Sequence, residues 1–413
     1  VRSPSRGGVL ILVEDGAFVR DHRVRREAAT LIGAGFVVTV ICPRDPGEDT
    51  TEVVDGVRVL RYRKPRVGEG ILGHVLEYGA SLFWMMFLSL RVRLGNGFRV
   101  LQLCNPPDFL FPVGLLHRWL GARIVFDHHD LCPELFVSRF GPGHPFISRI
   151  LRACEWITLR HAHHVITTND SYRRLAIERG GVDPDRVTVV RNGPCLSRFD
   201  RRGVTPAPRS PGRVRVGYVG NMNPQDGVDL ILELAGILCA RGDESIEFVC
   251  IGGGDSLSGL SQEVRSRGLE DRVTFTGRVS DERMLSLLVS CDIGIQPDPP
   301  GPLNDLSTMN KVLEYMALEL PVVAFSLPET RVSCGEAALY ADNGDVEALA
   351  DHVVALSRDG KRRRRLGQEG RRRIEERLAW SHSEAPLLRA YALACGEGQE
   401  RAPTAGECAE AVP

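Results

Sequence analysis

Apolar residues come along this chain in short runs, separated by polar loops and by stretches of helical period. The first run covers residues 9–13, and a polar loop follows from Glu14 to Asp21. A helical pattern then runs through residues 25–32 and stops at Gly33 and Gly35, and a second apolar run occupies residues 37–42. Together these make a βαβ opening. The same grammar repeats with strands predicted near Val57–Tyr62, Val100–Cys104, residues 124–127 and residues 164–168. Strands that alternate with helices in this way predict a parallel sheet covered by helices on both faces.

The pattern breaks at residues 201–213, where Pro206, Pro208 and Pro211 stand among polar residues. Such a stretch cannot continue a helix and reads as a linker. The grammar then restarts with a strand over Val214–Val219, a loop over residues 220–227 and a helix over residues 228–240. A strand at residues 248–251 runs into Gly252, Gly253, Gly254 and Asp255, and later strands cover residues 273–276, Ile293–Gln296 and Val322–Phe325. The expected fold is α/β: two Rossmann-like, doubly wound parallel-sheet domains facing a cleft. Residues 1–200 form the first, 201–213 the linker and 214–378 the second. An amphipathic helix over 379–395 returns to the first domain, and the small, polar residues 396–413 read as a disordered tail.

A length of 413 residues also exceeds one ordinary core, which supports two domains. The net charge of -1 gives no global field for nucleic acid. The eleven cysteines, among them Cys42, Cys104, Cys154, Cys250 and Cys291, are scattered and never form a C-x-x-C pair. That usage fits a reducing compartment, and residues 1–8 lack the apolar core of a signal peptide, so a cytoplasmic location is expected. Residues 82–94 are rich in Leu, Phe, Trp and Met but include Arg91 and Arg93. They are shorter than the ~20 apolar residues of a membrane span. Two readings stay open: a half-buried helix, or an amphipathic surface on the inner face of a membrane. In the second, Arg61, Arg63, Lys64 and Arg66 face anionic lipid. The run from Lys361 to Arg365 reads first as a solvated helix face, with phosphate or headgroup binding as the alternative.

Candidate chemistry concentrates in Pro302-Leu-Asn-Asp-Leu-Ser-Thr-Met-Asn-Lys-Val-Leu-Glu-Tyr-Met-Ala317. The pattern predicts a polar loop, then a helix from about Asn310, with Ser307 and Thr308 as N-cap candidates. A helix N-terminus offers unpaired N–H groups and the positive end of its dipole, which suits a diphosphate. Lys311 adds a charge in the first turn. Glu314 stands among apolar residues, and its carboxylate suits two neighbouring hydroxyls such as those of a ribose.

This segment closely resembles the donor-site signature of retaining glycosyltransferases of the GT-B fold, family 4 (glycosyltransferase group 1). The resemblance extends over nearly the whole chain. It includes Asp21-His-Arg-Val-Arg-Arg-Glu-Ala28, Asn105-Pro-Pro-Asp108, Asp127-His-His-Asp-Leu-Cys-Pro-Glu134 and Val190-Arg-Asn-Gly-Pro194. It implies transfer from a nucleoside-diphosphate sugar, UDP-linked, bound by the second domain, with the first domain on the acceptor side. In the wider family this segment carries two glutamates separated by seven residues. The second matches Glu314 and is implied to bind the ribose. The first falls at Leu306, so backbone groups at Leu306, Ser307 and Thr308 are the expected donor contacts. The family's Arg and Lys clamp on the diphosphate is missing from the loop after the 214–219 strand. Asn221 stands near the Arg place and Gln225 and Asp226 near the Lys place, with Gly220 and Asn221 as expected donor contacts. Lys311 then carries more of the leaving-group charge.

The resemblance further implies that His129 meets the transferred sugar, that Asp130 and Glu134 orient His129 or the acceptor, and that Gly16 lies on the acceptor side. Gly253 and Gly254 sit on the donor side, while Arg278 and Val279 lie where backbone meets the base. Consecutive histidines on an extended chain point oppositely, so His128 and His129 are not expected to share a metal. His161, His163 and His164 read as solvated or hydrogen-bonded side chains. No convincing D-x-D pair is found: Asp298 follows a strand but is hemmed by Pro297, Pro299 and Pro300. Neither metal nor cofactor is therefore expected. The expected partners are the nucleotide sugar and a small-molecule, glycan or lipid-linked acceptor, with a peripheral membrane contact and no nucleic acid. Alternatives left open are an epimerase or phosphorylase of the same fold and a non-catalytic nucleotide-sugar-binding partner.

Overall fold

β-branched and leucine-rich runs form two buried parallel sheets in the computed structural model, which describes residues 6–65 and 71–397. The first sheet holds β1 (Gly8–Leu12), β2 (Val37–Pro43), β3 (Thr51–Val54), β4 (Val57–Tyr62), β5 (Val100–Cys104), β6 (Arg123–His128), β7 (His164–Thr167) and β8 (Val187–Val189). Their order across the sheet is β3-β4-β2-β1-β5-β6-β7-β8. Every pairing is parallel except β3 with β4. The hairpin between those two turns on Asp55 and Gly56, whose φ values are 51° and 80°. Two positive values in a two-residue turn match the twist of the flanking strands.

The second sheet holds β9 (Val214–Val219), β10 (Ile246–Ile251), β11 (Val273–Phe275), β12 (Ile293–Gln296), β13 (Val322–Phe325) and β14 (Ala338–Ala341). It is parallel throughout, in the order β11-β10-β9-β12-β13-β14. Counted within the unit this is 3-2-1-4-5-6, the dinucleotide-fold order, which leaves a crevice beyond the carboxyl ends of β9 and β12. In the first sheet the order reverses between β1 and β5.

The chain divides into two compact units. One takes in the chain up to Pro133, then Pro145–Val190 and the stretch from Glu384 on; the other takes in Glu134–His144 and Arg191–Ser383. The expected linker at 201–213 is not one. Ala207 is buried in the core of the second unit, its N–H donates to the Ser286 carbonyl at 2.9 Å, and Arg209 pairs with Asp292 at 2.5 Å. Prolines stop a helix there without stopping burial. At the other end, Tyr391 of helix Ser381–Ala394 is buried in the first unit and its hydroxyl donates to Gln102. Of the expected tail, Gly396 and Glu397 are described, with Glu397 paired to Arg99 at 2.5 Å, and residues 398–413 lie outside the described residues.

The apolar stretch at 82–94 belongs to the longer helix Ile71–Leu94. It buries Ser81, Met85, Ser89 and Val92 and leaves Phe83, Trp84 and Phe87 exposed. The basic stretch before it faces outward only in part, with Arg63 exposed. Arg61 is buried against Glu48 (3.2 Å) and Glu52 (2.9 Å), and Lys64 pairs with Glu14 (2.8 Å) and Glu77 (3.2 Å). Arg66 lies outside the described residues. Among the described residues, no helix is long and apolar enough to cross a membrane. The arginine run after Lys361 lies on helix Gly360–Arg373, where Arg363 donates to the carbonyls of Leu356 and Ser357 and so ends the preceding helix.

Candidate functional site

In the second unit the helix Asn310–Ala317 lies beneath the crevice between β9 and β12. Tyr315 fixes it there. Its hydroxyl accepts from the Val219 N–H at 2.9 Å and donates to the Ile295 carbonyl at 3.2 Å, joining the two strands where they part. Gly294 is required for this packing, because a Cβ there would stand 2.4 Å from the Tyr315 ring. The first turn of the helix then delivers Lys311 to the mouth of the crevice. Its ammonium lies 5.0 Å from the centre of the Tyr218 ring, and its Cε would touch a Cβ at Gly220 at 3.4 Å.

Lys311 is not the lone cation that was expected. It donates to both carboxylate oxygens of Asp298, at 2.6 and 2.8 Å, and both residues are buried. Asp298 also accepts from Gln296 Nε2 at 2.9 Å. An ammonium held this deep needs a counter-charge, and the residue after Pro297 supplies it. Asp226 adds a second carboxylate within electrostatic reach: burial raises its pKa and the Lys311 charge pulls it back. Sequence reasoning missed Asp298 as a partner; a lone acid among three prolines directly after a strand was the available signal.

The N-cap is Met309, in an extended conformation and without a side-chain cap, rather than Ser307 or Thr308. The Ser307 hydroxyl turns instead to the Leu303 carbonyl at 2.8 Å. Leu306, Ser307 and Thr308 are half-buried in a turn that Asn304 anchors by donating to the carbonyls of Gln225 (2.9 Å) and Pro299 (2.8 Å). Glu314 is half-buried one residue before Tyr315.

The glycine loops after β9 and β10 pack on each other. A Cβ at Gly252 would stand 1.9 Å from the Gly220 carbonyl oxygen, and one at Gly254 2.4 Å from that of Met222. Backbone hydrogen bonds from Gly220 to Ile251 and from Met222 to Gly253, both 3.0 Å, complete the seam. A Cβ at Gly253 would stand 3.1 Å from the Arg278 side chain. Asn221 and Arg278 are exposed, and Val279 is half-buried against the core of the unit.

In the first unit the candidates gather at the carboxyl ends of β1, β5 and β6. Alternation along β6 sends Asp127 and His128 to opposite faces. His128 is buried, stacked on Phe126 and bonded to Glu155 at 3.0 Å. Asp127 turns to helix His22–Gly33, where Arg23 grips it through Nη2 at 2.7 Å and Nε at 3.0 Å. His129 follows, half-buried, with Nδ1 2.9 Å from Asp127 Oδ2. A carboxylate there fixes the Nδ1–H tautomer or the imidazolium and leaves Nε2 as the free end. Burial works against a charged ring, but Asp127 outweighs it and lifts the His129 pKa to about 10. The two histidines thus have different partners, and so do His163 and His164, the Ile124 N–H (2.9 Å) and Thr188 (2.8 Å).

Behind Arg23 the network continues: Glu27 pairs with Arg23 Nε at 3.1 Å and accepts from Gln102 at 2.7 Å, and Gln102 takes the Tyr391 hydroxyl. Asn105 clamps the histidine loop, its Oδ1 accepting from the backbone N–H groups of His129 (2.8 Å) and Asp130 (3.0 Å). Burial raises the Asp130 carboxyl. Gly16 has open space where a Cβ would stand. Glu134 is half-buried on helix Cys132–Phe140, where the chain passes to the second unit.

Residues 21–193 match the family model of the glycosyl transferase 4-like domain, and residues 213–359 match that of glycosyl transferases group 1. The chain belongs to the group 1 glycosyltransferase family. One relative is a D-inositol 3-phosphate glycosyltransferase of Rhodococcus jostii, 29% identical over 67% of this chain and 62% of its own length. The chain thus spans a little under two thirds of that relative. Another is a phosphatidyl-myo-inositol mannosyltransferase of Mycobacterium leprae, 28% identical over 92% of this chain and 94% of its own. Among solved structures, sucrose-phosphate synthase from Thermosynechococcus elongatus superposes with a TM-score of 0.78 at 17% identity, covering 95% of this chain and 100% of that one. Anabaena HepE in complex with UDP-glucose gives 0.68 at 15%, covering 94% and 99%. The fold of this group 1 glycosyltransferase chain is GT-B.

Proposed function

We propose that the chain is a retaining glycosyltransferase that moves a sugar from a UDP-linked donor to a hydroxyl of a lipid-linked or otherwise amphiphilic acceptor, without a metal ion. The observation that carries the reading is Lys311, delivered by an uncapped helix N-terminus to the crevice between β9 and β12. Charge builds on the β-phosphate as the glycosidic bond breaks, and N–H groups and an ammonium at that place oppose it. A bound diphosphate competes with Asp298 for Lys311. Glu314, later on the same helix, holds the ribose hydroxyls. In the first unit the His129 imidazolium offers its Nε2–H to a sugar oxygen, with Asp127 and Arg23 fixing its direction. The acceptor hydroxyl attacks from the face the nucleotide leaves, and the donor phosphate takes its proton.

The UDP and amphiphilic-acceptor readings draw support from HepE, solved with UDP-glucose, and from the phosphatidyl-myo-inositol acceptor in the name of the M. leprae relative. An inner-membrane-face location goes with such an acceptor. The test is turnover of Lys311→Ala and Glu314→Ala against a panel of nucleotide sugars, with the anomeric configuration of the product read by NMR and a parallel arm in chelator. Turnover in both variants equal to the parent overturns the site. Inversion overturns the stereochemistry, and loss of activity in chelator overturns metal independence.

A further inference from the structure

In a parallel α/β unit each helix runs back against the strands, so helix C-termini collect at the strands' amino ends. In the first unit this brings together the ends of helices Ile71–Leu94, Phe111–Trp119 and Pro145–His161 and the turn Pro184–Arg186, which precede β5, β6, β7 and β8. Side chains tie these ends edge to edge. Arg93 donates to the Leu120 carbonyl, Arg118 to that of His161 at 2.6 Å, and Arg186 to those of Ala162 and, at 3.1 Å, His163.

Two features of this end are costly for a surface facing only water. Its apolar side chains stand out: Leu94 is 87% exposed, Trp119 82% and Trp156 46%. Its cations outnumber its acids, which include Asp183 and Asp185 at the turn before β8 and Glu397, paired to Arg99 just before β5. Arg118, Arg123, Arg160 and Arg186 crowd it, and among the described residues none of the four forms an ion pair with a carboxylate; Asp183 acts on Arg186 from the adjoining turn. The only acid of helix Pro145–His161, Glu155, is buried with His128 and Arg179. The helix-end carbonyls account for part of the cation excess. They do not account for the tryptophans, one of which, Trp156, carries the Arg160 guanidinium over its ring at 5.7 Å.

Exposed tryptophan beside unpaired arginine is the chemistry of the bilayer interface, where the indole sits at headgroup level and the guanidinium meets lipid phosphate. We propose that this amino-end edge of the first sheet docks on an anionic lipid surface, with Leu94, Trp119 and Trp156 entering the interface and Arg118, Arg160 and Arg186 pairing with headgroup phosphates. The edge lies at the opposite end of the strands from His129, so docking leaves that site open. The proposal gives a place to the membrane contact that accompanies the amphiphilic acceptor above. A vesicle assay contains no donor and no acceptor, so its failure is distinct from failure of the transfer reading.

The full chain is sedimented with vesicles of phosphatidylcholine, with and without phosphatidylglycerol. Binding is expected with the anionic vesicles, falling as salt rises. Each of Arg118→Gln and Arg160→Gln should lower partition about fivefold. Trp119→Ser should lower it while keeping the salt dependence. Arg362→Gln with Arg365→Gln, on the second unit, should leave it unchanged. Equal sedimentation with neutral and anionic vesicles overturns the proposal. So does parent-like binding by the Arg118 and Arg160 variants, or an equal loss in the Arg362 and Arg365 control. Thermal unfolding of each variant confirms that exposed positions, not folding, were changed.

Discussion

Lys311 and Asp298 lend themselves to a double-mutant cycle, because their pairing is buried and their chemical roles differ. Lys311→Met leaves Asp298, 1% exposed, with Gln296 as its donor. An uncompensated buried charge costs about 3–5 kcal/mol. Asp298→Asn leaves the ammonium against a neutral amide, and a loss of about 3 kcal/mol follows for the same reason. The double variant has lost the same hydrogen bonds but holds no bare charge, so its total should also be about 3 kcal/mol, giving a coupling of about 3 kcal/mol. For a unit of this size Asp298→Asn should melt about 6–12 °C lower and Lys311→Met about 6–20 °C lower. Scanning calorimetry of the four proteins reads the stability arm, and nucleoside-diphosphate binding reads the other. Stabilities additive within ~0.5 kcal/mol would refute the pair. Nucleotide affinity equal to the parent in the double variant would refute the claim that the Lys311 charge holds the donor.

Three further outcomes are expected. Asp127→Asn should drop the His129 pKa from about 10 to below 6.5, since burial and the Arg23 charge then outweigh Asp130; a histidine NMR titration checks it. In the parent, the His129 contribution is fully present below pH 6.5 and is lost as pH rises through about 10, while that of Asp127, held down by Arg23 and His129, is lost as pH falls below its unfolded value. Gly252→Ala should unfold the seam between the glycine loops, because the new Cβ meets the Gly220 carbonyl at 1.9 Å from a φ of +136°; thermal melting should show a loss larger than Gly236→Ala, where a Cβ meets nothing. Tyr391→Phe should cost about 1–3 kcal/mol in denaturant unfolding, by leaving the buried Gln102 carbonyl oxygen without its donor.

Most strands were legible because each is a run of apolar residues ended by a loop. Those missed are β3, β8 and β14. β3 is half polar and exposed, although Asp55-Gly56 announced its turn, and β8 and β14 have only three and four residues. The helix at 310 and its lysine were legible from local pattern. Partners were not: Asp298 lies 13 residues before Lys311 and Asp127 lies 104 after Arg23, separations at which only tertiary packing decides what meets. The linker error has a physical cause. Proline and glycine report what the backbone can do, and burial depends on what else arrives.

The charge balance at the crevice carries a last consequence. Lys311 contributes one positive charge, Asp298 cancels it, and Asp226 stands close enough to feel it. A diphosphate entering there adds like charge to two carboxylates, and the most economical relief is a proton. Asp226 is the natural receiver, since burial already raises its pKa. A nearby phosphate raises it further, so the bound state holds more protons than the free state. Nucleoside-diphosphate affinity should therefore rise as pH falls from 7 toward 5, and Asp226→Asn should tighten binding at pH 7 while flattening the profile. Titration calorimetry in two buffers of different ionisation enthalpy measures the proton directly. Uptake of none, or an unchanged pH profile in Asp226→Asn, would mean that the phosphates settle away from Asp226 and that Lys311 keeps Asp298 throughout.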